Sequence, residues 1–151
     1  MNLIDKIDEK YKNSIREKDS NSVNTLRLIK SAIKDKQIQL RGKQDKLLDT
    51  DILSLLQTLI KQRKDSIDAF AKANRKDLIE KEQSEIKVIE IFLPQQKNED
   101  ETKEIIEGII KENNLTSIKD MGTLMNMLKN KFTGQIDMGV AGKIAKSSLG
   151  N

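Results

Sequence analysis

Apolar residues recur every three or four positions along most of the chain, which places them on one face of an α-helix. The first four apolar stripes lie within residues 2–18, 23–40, 52–70 and 78–92. No segment shows the strict alternation of apolar and polar residues that is typical of β-strands. The pattern therefore predicts an all-α protein whose first part consists of long helices.

Polar residues that favour helix ends stand at the borders of these stripes. Asn2, the polar segment 19–22 and Asp77 each precede a stripe. We predict that they cap helix N-termini, because their side chains can accept hydrogen bonds from free backbone amides. Gly42 and the polar segment 74–76 follow stripes and are predicted to end the second and third helices.

Pro94 is the only proline in the chain, and it marks a predicted domain boundary. Proline disfavours the helical conformation of the residue before it, so the fourth helix is expected to end near Leu93. We therefore predict a helical N-terminal domain over residues 1–93 and a small C-terminal three-helix domain over residues 95–151.

The helices of the C-terminal domain are predicted from caps and shorter stripes. Asn98 and Glu101 have the spacing of a capping box. Ser117 is predicted to cap the second helix, and Asp137, which follows a break at Gly134, is predicted to cap the third. The apolar residues expected on the third helix are Val140, Ile144 and Leu149.

The composition excludes most catalytic chemistry. The 151 residues include no histidine and no cysteine, which excludes a thiol nucleophile, a histidine base, a disulfide and a zinc site built from these ligands. The sequence also lacks the glycine-rich motifs of phosphate-binding and dinucleotide-binding loops. We therefore predict no metal site, no cofactor and no catalytic residue.

Two arrangements of polar residues leave catalysis open as an alternative. The four glutamates between residues 80 and 90 lie near one another on one predicted helix and could exchange protons with a substrate. Ser31 lies within helical reach of Lys30 and Lys34, and a buried lysine can act as the base that activates a serine.

The chain shows no sign of secretion or of membrane insertion. Residues 1–12 carry charges every few positions, unlike the apolar segment of a signal peptide, and no stretch of eighteen apolar residues occurs. We therefore expect a soluble cytoplasmic protein with no membrane partner.

Basic residues concentrate in two zones of the chain, whose net charge is +4. Residues 27–46 contain seven basic and two acidic residues, and residues 119–151 contain five basic and two acidic residues. Arg27, Lys30 and Lys34 share one face of the second helix because they are spaced three and four positions apart. Such zones are compatible with a polyanion such as RNA, and solvated helix faces are the alternative.

Two single residues need a physical explanation. Arg63 lies in the third helix, where its guanidinium could pair bidentately with a carboxylate across a helix interface. Gly122 lies within a predicted helix, where glycine costs about 1 kcal/mol relative to alanine. Close approach of another helix and close approach of a nucleic-acid backbone are the two explanations that we consider for Gly122.

Three groups of residues occur in an order and spacing that point to a family. They are Lys61–Phe70 followed by Asn74 and Arg75, the junction Phe92–Gln96, and Lys119–Gly122 with Gly134 and Asp137. With these residues the chain resembles the YqeY family over essentially its whole length. Its C-terminal part is similar to the tail of the B subunit of the glutamine-dependent aminoacyl-tRNA amidotransferase. The resemblance implies a helical N-terminal domain joined to a three-helix tail that helps to engage tRNA.

The resemblance also implies carbon–nitrogen ligase activity with glutamine as the amide donor. Amide transfer needs a glutaminase nucleophile and an ATP site, and we can assign neither to this chain. We therefore expect a tRNA-associated helical adaptor that is not catalytic alone, with an aminoacyl-tRNA amidotransferase or synthetase as a candidate partner. The alternative is an auxiliary of an amidotransferase that acts through protein contacts and has no RNA contact.

The resemblance and the basic C-terminal zone together indicate where tRNA would bind. We expect the contacts among five residues that we call the tail lysines: Lys119, Lys129, Lys131, Lys143 and Lys146. Arg27, Lys30 and Lys34 form a second candidate basic patch. Thr123 departs from the family, in which a lysine often follows the Asp-Met-Gly sequence, and so removes one possible phosphate contact.

Overall fold

The computed structural model describes residues 2–43 and 46–150. Within these residues the chain forms seven α-helices, one short 3-10 helix and no β-strand. The prediction of an all-α protein is confirmed. The elements are α1 (Leu3–Arg16), α2 (Ser20–Gln39), α3 (Asp49–Lys72), α4 (Lys76–Glu90), α5 (Glu99–Glu112), the 3-10 helix (Ile118–Asp120), α6 (Met121–Lys131) and α7 (Met138–Leu149).

Side chains cap the starts of α1 and α5 as predicted. The Asn2 side chain accepts a hydrogen bond from the Asp5 amide at 2.9 Å. At α5 the Asn98 side chain accepts from the Glu101 amide at 2.8 Å, and the Glu101 carboxylate accepts from the Asn98 amide at 3.1 Å. This reciprocal pair is a capping box, which satisfies two amides that have no partner within the helix.

Asp19 and Asp137 cap α2 and α7, which confirms both predictions. The Asp19 carboxylate accepts hydrogen bonds from the Ser22 hydroxyl at 2.7 Å and from the Ser22 amide at 3.2 Å. These bonds favour the ionised form and hold the pKa of Asp19 below its usual value. Asp137 accepts from the amides of Gly139 and Val140 at 2.9 and 3.2 Å.

The start of α4 differs from the prediction that Asp77 caps it. The helix begins at Lys76 with Arg75 at the cap position, so Asp77 lies in the first turn. The Arg75 guanidinium donates to both carboxylate oxygens of Asp77, at 3.2 and 3.1 Å, and this pairing lowers the pKa of Asp77. Asp77 therefore stabilises the helix start as a negative charge near the N-terminus and not as the cap.

Residues with left-handed backbone conformation follow several helices. Asn74 after α3 has a φ of 54°, and Asn114 after α5 has a φ of 53°. Asparagine tolerates this conformation better than most residues, and it lets the Arg75 amide return to the Phe70 carbonyl at 3.0 Å. Gly42 has a φ of 79° and lies in the turn after α2, three residues beyond the last helical residue.

The chain divides into two compact units, residues 1–93 and 94–151. In the first unit α3 packs along α4, and α2 packs against both α1 and α4. The apolar stripes of these helices meet in a core made almost entirely of leucine and isoleucine. Its fully buried members include Leu26, Ile29, Ile52, Leu56 and Ile89.

In the second unit α5, α6 and α7 enclose a separate core that includes Ile106, Leu124 and Leu128. The apolar face predicted for α7 needs a correction, because its buried residues are Ala141, Ala145 and Leu149, whereas Val140 and Ile144 lie at the border. Small alanine side chains shorten the distance at which neighbouring helices can pack. The apolar spacing correctly predicts that Leu149 is buried and that Ile144 packs against this core, where it is half-buried.

The segment after Pro94 is tied into the second unit by hydrogen bonds. The Lys97 amide donates to the Gln135 carbonyl at 2.7 Å. The Gln96 side-chain amide donates to the Gly134 carbonyl. The second bond gives Gln96 of the junction Phe92–Gln96 a structural role. None of the helices in the described residues is long and apolar enough to cross a membrane.

We predict that a fragment of residues 95–151 folds by itself. Its core is made within the second unit, so its far-ultraviolet circular dichroism should remain helical. Its stability should be marginal, because so short a chain buries little apolar surface. An unstructured fragment at neutral pH and low temperature would contradict the prediction and would mean that the two units share one core.

Candidate nucleic-acid interface

An open groove of about 640 Å³ lies in the C-terminal unit, between the 3-10 helix and the C-terminal half of α7. It brings together two lysines, two serines and one exposed isoleucine. The residues that line it are Ser117, Ile118, Lys143, Lys146, Ser147 and Gly150. We call this feature the tail groove.

Hydrogen bonds to Asp120 fix the wall formed by the 3-10 helix. The Asp120 carboxylate accepts from the amides of Thr116 and Ser117, at 2.8 and 3.3 Å. The Ser117 hydroxyl accepts from the Lys119 amide at 3.3 Å, so Ser117 caps the 3-10 helix that leads into α6 and not α6 itself. In this fixed backbone the Ile118 side chain remains 49% exposed.

The spacing of residues along α7 forms the opposite wall. Lys143 and Lys146 are three positions apart and therefore lie on the same face of the helix. Both are exposed, whereas Ala141 and Ala145 on the other face are completely buried. Burial of the alanines thus fixes the rotation of α7 that directs both lysines into the groove.

The electrostatics of the tail groove favour an anion. Among the described residues neither Lys143 nor Lys146 forms a salt bridge with an acidic side chain. Two positive charges therefore border the same groove without local neutralisation. The surrounding zone adds to this field, because residues 119–151 contain five basic and only two acidic residues.

The structure separates the tail lysines into two groups. Lys143 and Lys146 line the groove, and Lys119 follows Ile118 directly in the 3-10 helix. Lys129 and Lys131 are exposed in the last turn of α6, about 15 Å along the helix from the 3-10 helix. The sequence could not make this division, because it depends on which end of α6 packs beside the end of α7.

The second candidate patch is partly engaged within the N-terminal unit. Lys30 Nζ lies 2.9 Å from Asp8 Oδ1 and 4.7 Å from the centroid of the Tyr11 ring. The Arg27 guanidinium donates to the Tyr11 hydroxyl at 3.4 Å. Two of the three cations thus tie α2 to α1, and Lys34 is exposed. Sequence reasoning missed Asp8 and Tyr11, although their spacing of three positions places them on one face of α1.

Comparison with known proteins assigns the chain to a family. A sequence model of Yqey-like protein matches residues 4–149, nearly the whole chain. The chain belongs to the YqeY-like family. The predicted resemblance to this family is confirmed.

Curated relatives of this YqeY-like chain include proteins named altered inheritance of mitochondria protein 41, mitochondrial. The protein from Lachancea thermotolerans is 45% identical over 78 residues, which cover 52% of this chain and 41% of the relative. The protein from Kluyveromyces lactis is 43% identical over 82 residues, covering 54% and 43%. An uncharacterized protein of Schizosaccharomyces pombe is 35% identical over 96 residues, covering 62% and 74%. The chain therefore spans about two fifths of the length of the first two relatives.

Arg63 of this YqeY-like chain pairs across a helix interface, as predicted. Its Nε donates to Glu85 Oε2 at 2.9 Å, and its Nη1 donates to the Leu59 carbonyl at 3.0 Å. The two charged side chains are only 12% and 13% exposed. The contact with Glu85 is therefore not bidentate, because the second donor of the guanidinium caps a carbonyl of its own helix, α3.

The two catalytic alternatives find little support in the geometry. Glu85 is paired with Arg63, Glu80 and Glu90 are exposed, and Glu82 is half-buried. Ser31, Lys30 and Lys34 are all exposed, and Lys30 is paired with Asp8, so neither lysine is buried as a base beside this serine would have to be. Among the described residues no three acidic side chains come together as a metal site would require.

Gly122 lies in the first turn of α6 and is exposed. In the part of the chain that the structure describes, no atom of another element lies within 4 Å of the position that a Cβ atom would take here. The explanation that another helix of the chain approaches Gly122 is therefore wrong. Because Gly122 is the second residue of α6, the glycine cost that holds for a helix interior does not apply in full, and no contact within the described residues requires a glycine here.

We predict that Arg63→Met lowers the free energy of unfolding by about 2 kcal/mol, because it leaves the largely buried Glu85 carboxylate without its cation. Urea unfolding followed by circular dichroism measures this loss. Arg75→Met is the matched control, since Arg75 and Asp77 are 55% and 67% exposed and solvent screens their attraction. Equal losses in the two variants would show that the Arg63 pair does not stabilise the α3–α4 interface.

Proposed function

We propose that this protein is a tRNA-associated helical adaptor whose tail groove binds the RNA. The proposal is supported by the positions of Lys143 and Lys146, two exposed cations on one side of the same groove. Neither lysine has an acidic partner among the described residues. Phosphate groups are the ligands that such a pair attracts most strongly in RNA.

We also propose that the bound tRNA is passed to a partner enzyme. The adaptor would present tRNA to an aminoacyl-tRNA amidotransferase or synthetase and would not perform amide transfer itself. Support for this division comes from the composition, because a chain without histidine and cysteine lacks the usual nucleophile and base of a glutaminase. The proposal includes a cytoplasmic location, although the names of the Lachancea and Kluyveromyces relatives say that those proteins are mitochondrial.

The Lys143→Ala/Lys146→Ala variant should weaken binding of total tRNA to the full chain. Each phosphate contact releases counterions, so the slope of log affinity against log salt should fall by about one unit per lost contact. Fluorescence anisotropy at several salt concentrations measures both quantities. The matched control is Lys103→Ala/Lys111→Ala, which removes the same charge from exposed positions of α5 that do not line the groove.

The variant Lys129→Ala/Lys131→Ala tests the tail lysines outside the groove in the same assay. We expect weaker binding with a smaller loss than for the groove pair, and a slope that falls by up to about one unit per lost contact. Unchanged affinity and slope would show that Lys129 and Lys131 do not contact the tRNA.

Equal losses of affinity for the Lys143/Lys146 variant and for the α5 control would contradict the tail groove as the binding site. No binding at low salt would favour the auxiliary that has no RNA contact.

A further inference from the structure

The tail groove combines charge with an exposed apolar surface. Ile118 is 49% exposed, and within residues 94–150 no other large aliphatic side chain is exposed to this extent. It lines the same groove as Lys143 and Lys146, whose methylene stems extend the apolar surface. A single exposed aliphatic residue on a protein surface needs no explanation. An exposed aliphatic residue beside two cations in one groove, by contrast, places an apolar surface next to positive charge.

The apolar surface and the two positive charges match different parts of an unpaired nucleotide. A phosphate group pairs with the ammonium groups, whereas the flat face of a base is apolar and can lie against an aliphatic side chain. A double helix shields its base faces by stacking and offers mainly phosphates and sugars to such a groove. The hydroxyls of Ser117 and Ser147, which also line the groove, can bond to a ribose hydroxyl.

We propose that the tail groove binds unpaired nucleotides of RNA, with a base against Ile118 and the adjoining phosphates at Lys143 and Lys146. This inference rests on the proposed function, because it names the part of the RNA that the groove recognises. Binding of this kind also predicts a preference for single-stranded RNA, which charge alone would not produce. A duplex has the higher density of phosphate charge, so a purely electrostatic site prefers duplex RNA. The tail groove should prefer a single strand.

The test compares a labelled single-stranded RNA dodecamer with the same strand annealed to its complement. The full chain is titrated against both in an anisotropy assay at equal salt. The single strand should bind several-fold more tightly. Ile118→Ser should weaken binding of the single strand about fivefold while leaving the salt slope unchanged, and Ile118→Phe should strengthen it because a base stacks better on an aromatic ring.

The matched control for Ile118 is Ile91→Ser, which makes the same chemical change at a side chain that is 56% exposed in the other unit. Equal or tighter binding of the duplex, together with equal effects of Ile118→Ser and Ile91→Ser, would overturn the inference. If Lys143→Ala/Lys146→Ala still weakened tRNA binding, the proposed function would survive that result. Absence of binding to every RNA would overturn both. Displacement of the single strand by an acidic dodecapeptide at equal concentration would also overturn the preference for nucleotides.

Discussion

The structure depends on the burial of aliphatic helix faces in two separate cores, one before and one after the junction of Leu93 and Pro94. Aromatic residues make up only 3% of the chain, so each core is assembled from leucine and isoleucine stripes, and in α7 from alanine. Since these stripes fix the rotation of every helix, they also determine which lysines face solvent. The tail groove is a consequence of this constraint, because burial of Ala141 and Ala145 turns Lys143 and Lys146 outward.

The Arg63–Glu85 pair shows that a family-like motif can be structural. The segment Lys61–Phe70 is part of the resemblance to the YqeY family, yet its most distinctive charge is 12% exposed and bonded to Glu85 and to the Leu59 carbonyl. A guanidinium in this position connects α3 to α4 and is not available to an external ligand. In the C-terminal unit, by contrast, Lys143 and Lys146 are exposed and accessible to an external ligand.

Local signals in the sequence were sufficient for the helices and most of their caps, because a cap such as Asn2 or Asn98 depends on residues three positions away. Two features differ from the predictions for separate reasons. At the start of α4 a competing local contact decides, because Arg75 binds Asp77, which lies in the first turn. In α7 longer-range geometry decides, because the alanines are buried where neighbouring helices lie close. The tail groove could not be predicted either, because Ile118 and Lys143 are 25 positions apart in the sequence and meet only through the packing of α7 beside the 3-10 helix.

NMR can locate the surface at which RNA contacts this protein. The ¹⁵N-labelled full chain is titrated with total tRNA, and amide chemical shifts are followed residue by residue. If RNA binds in the tail groove, the largest changes should lie at Ser117–Lys119 and Lys143–Ser147, with small changes on α2. Changes centred on Arg27 and Lys34, or an unperturbed spectrum at low salt, would mean that RNA does not bind in the tail groove.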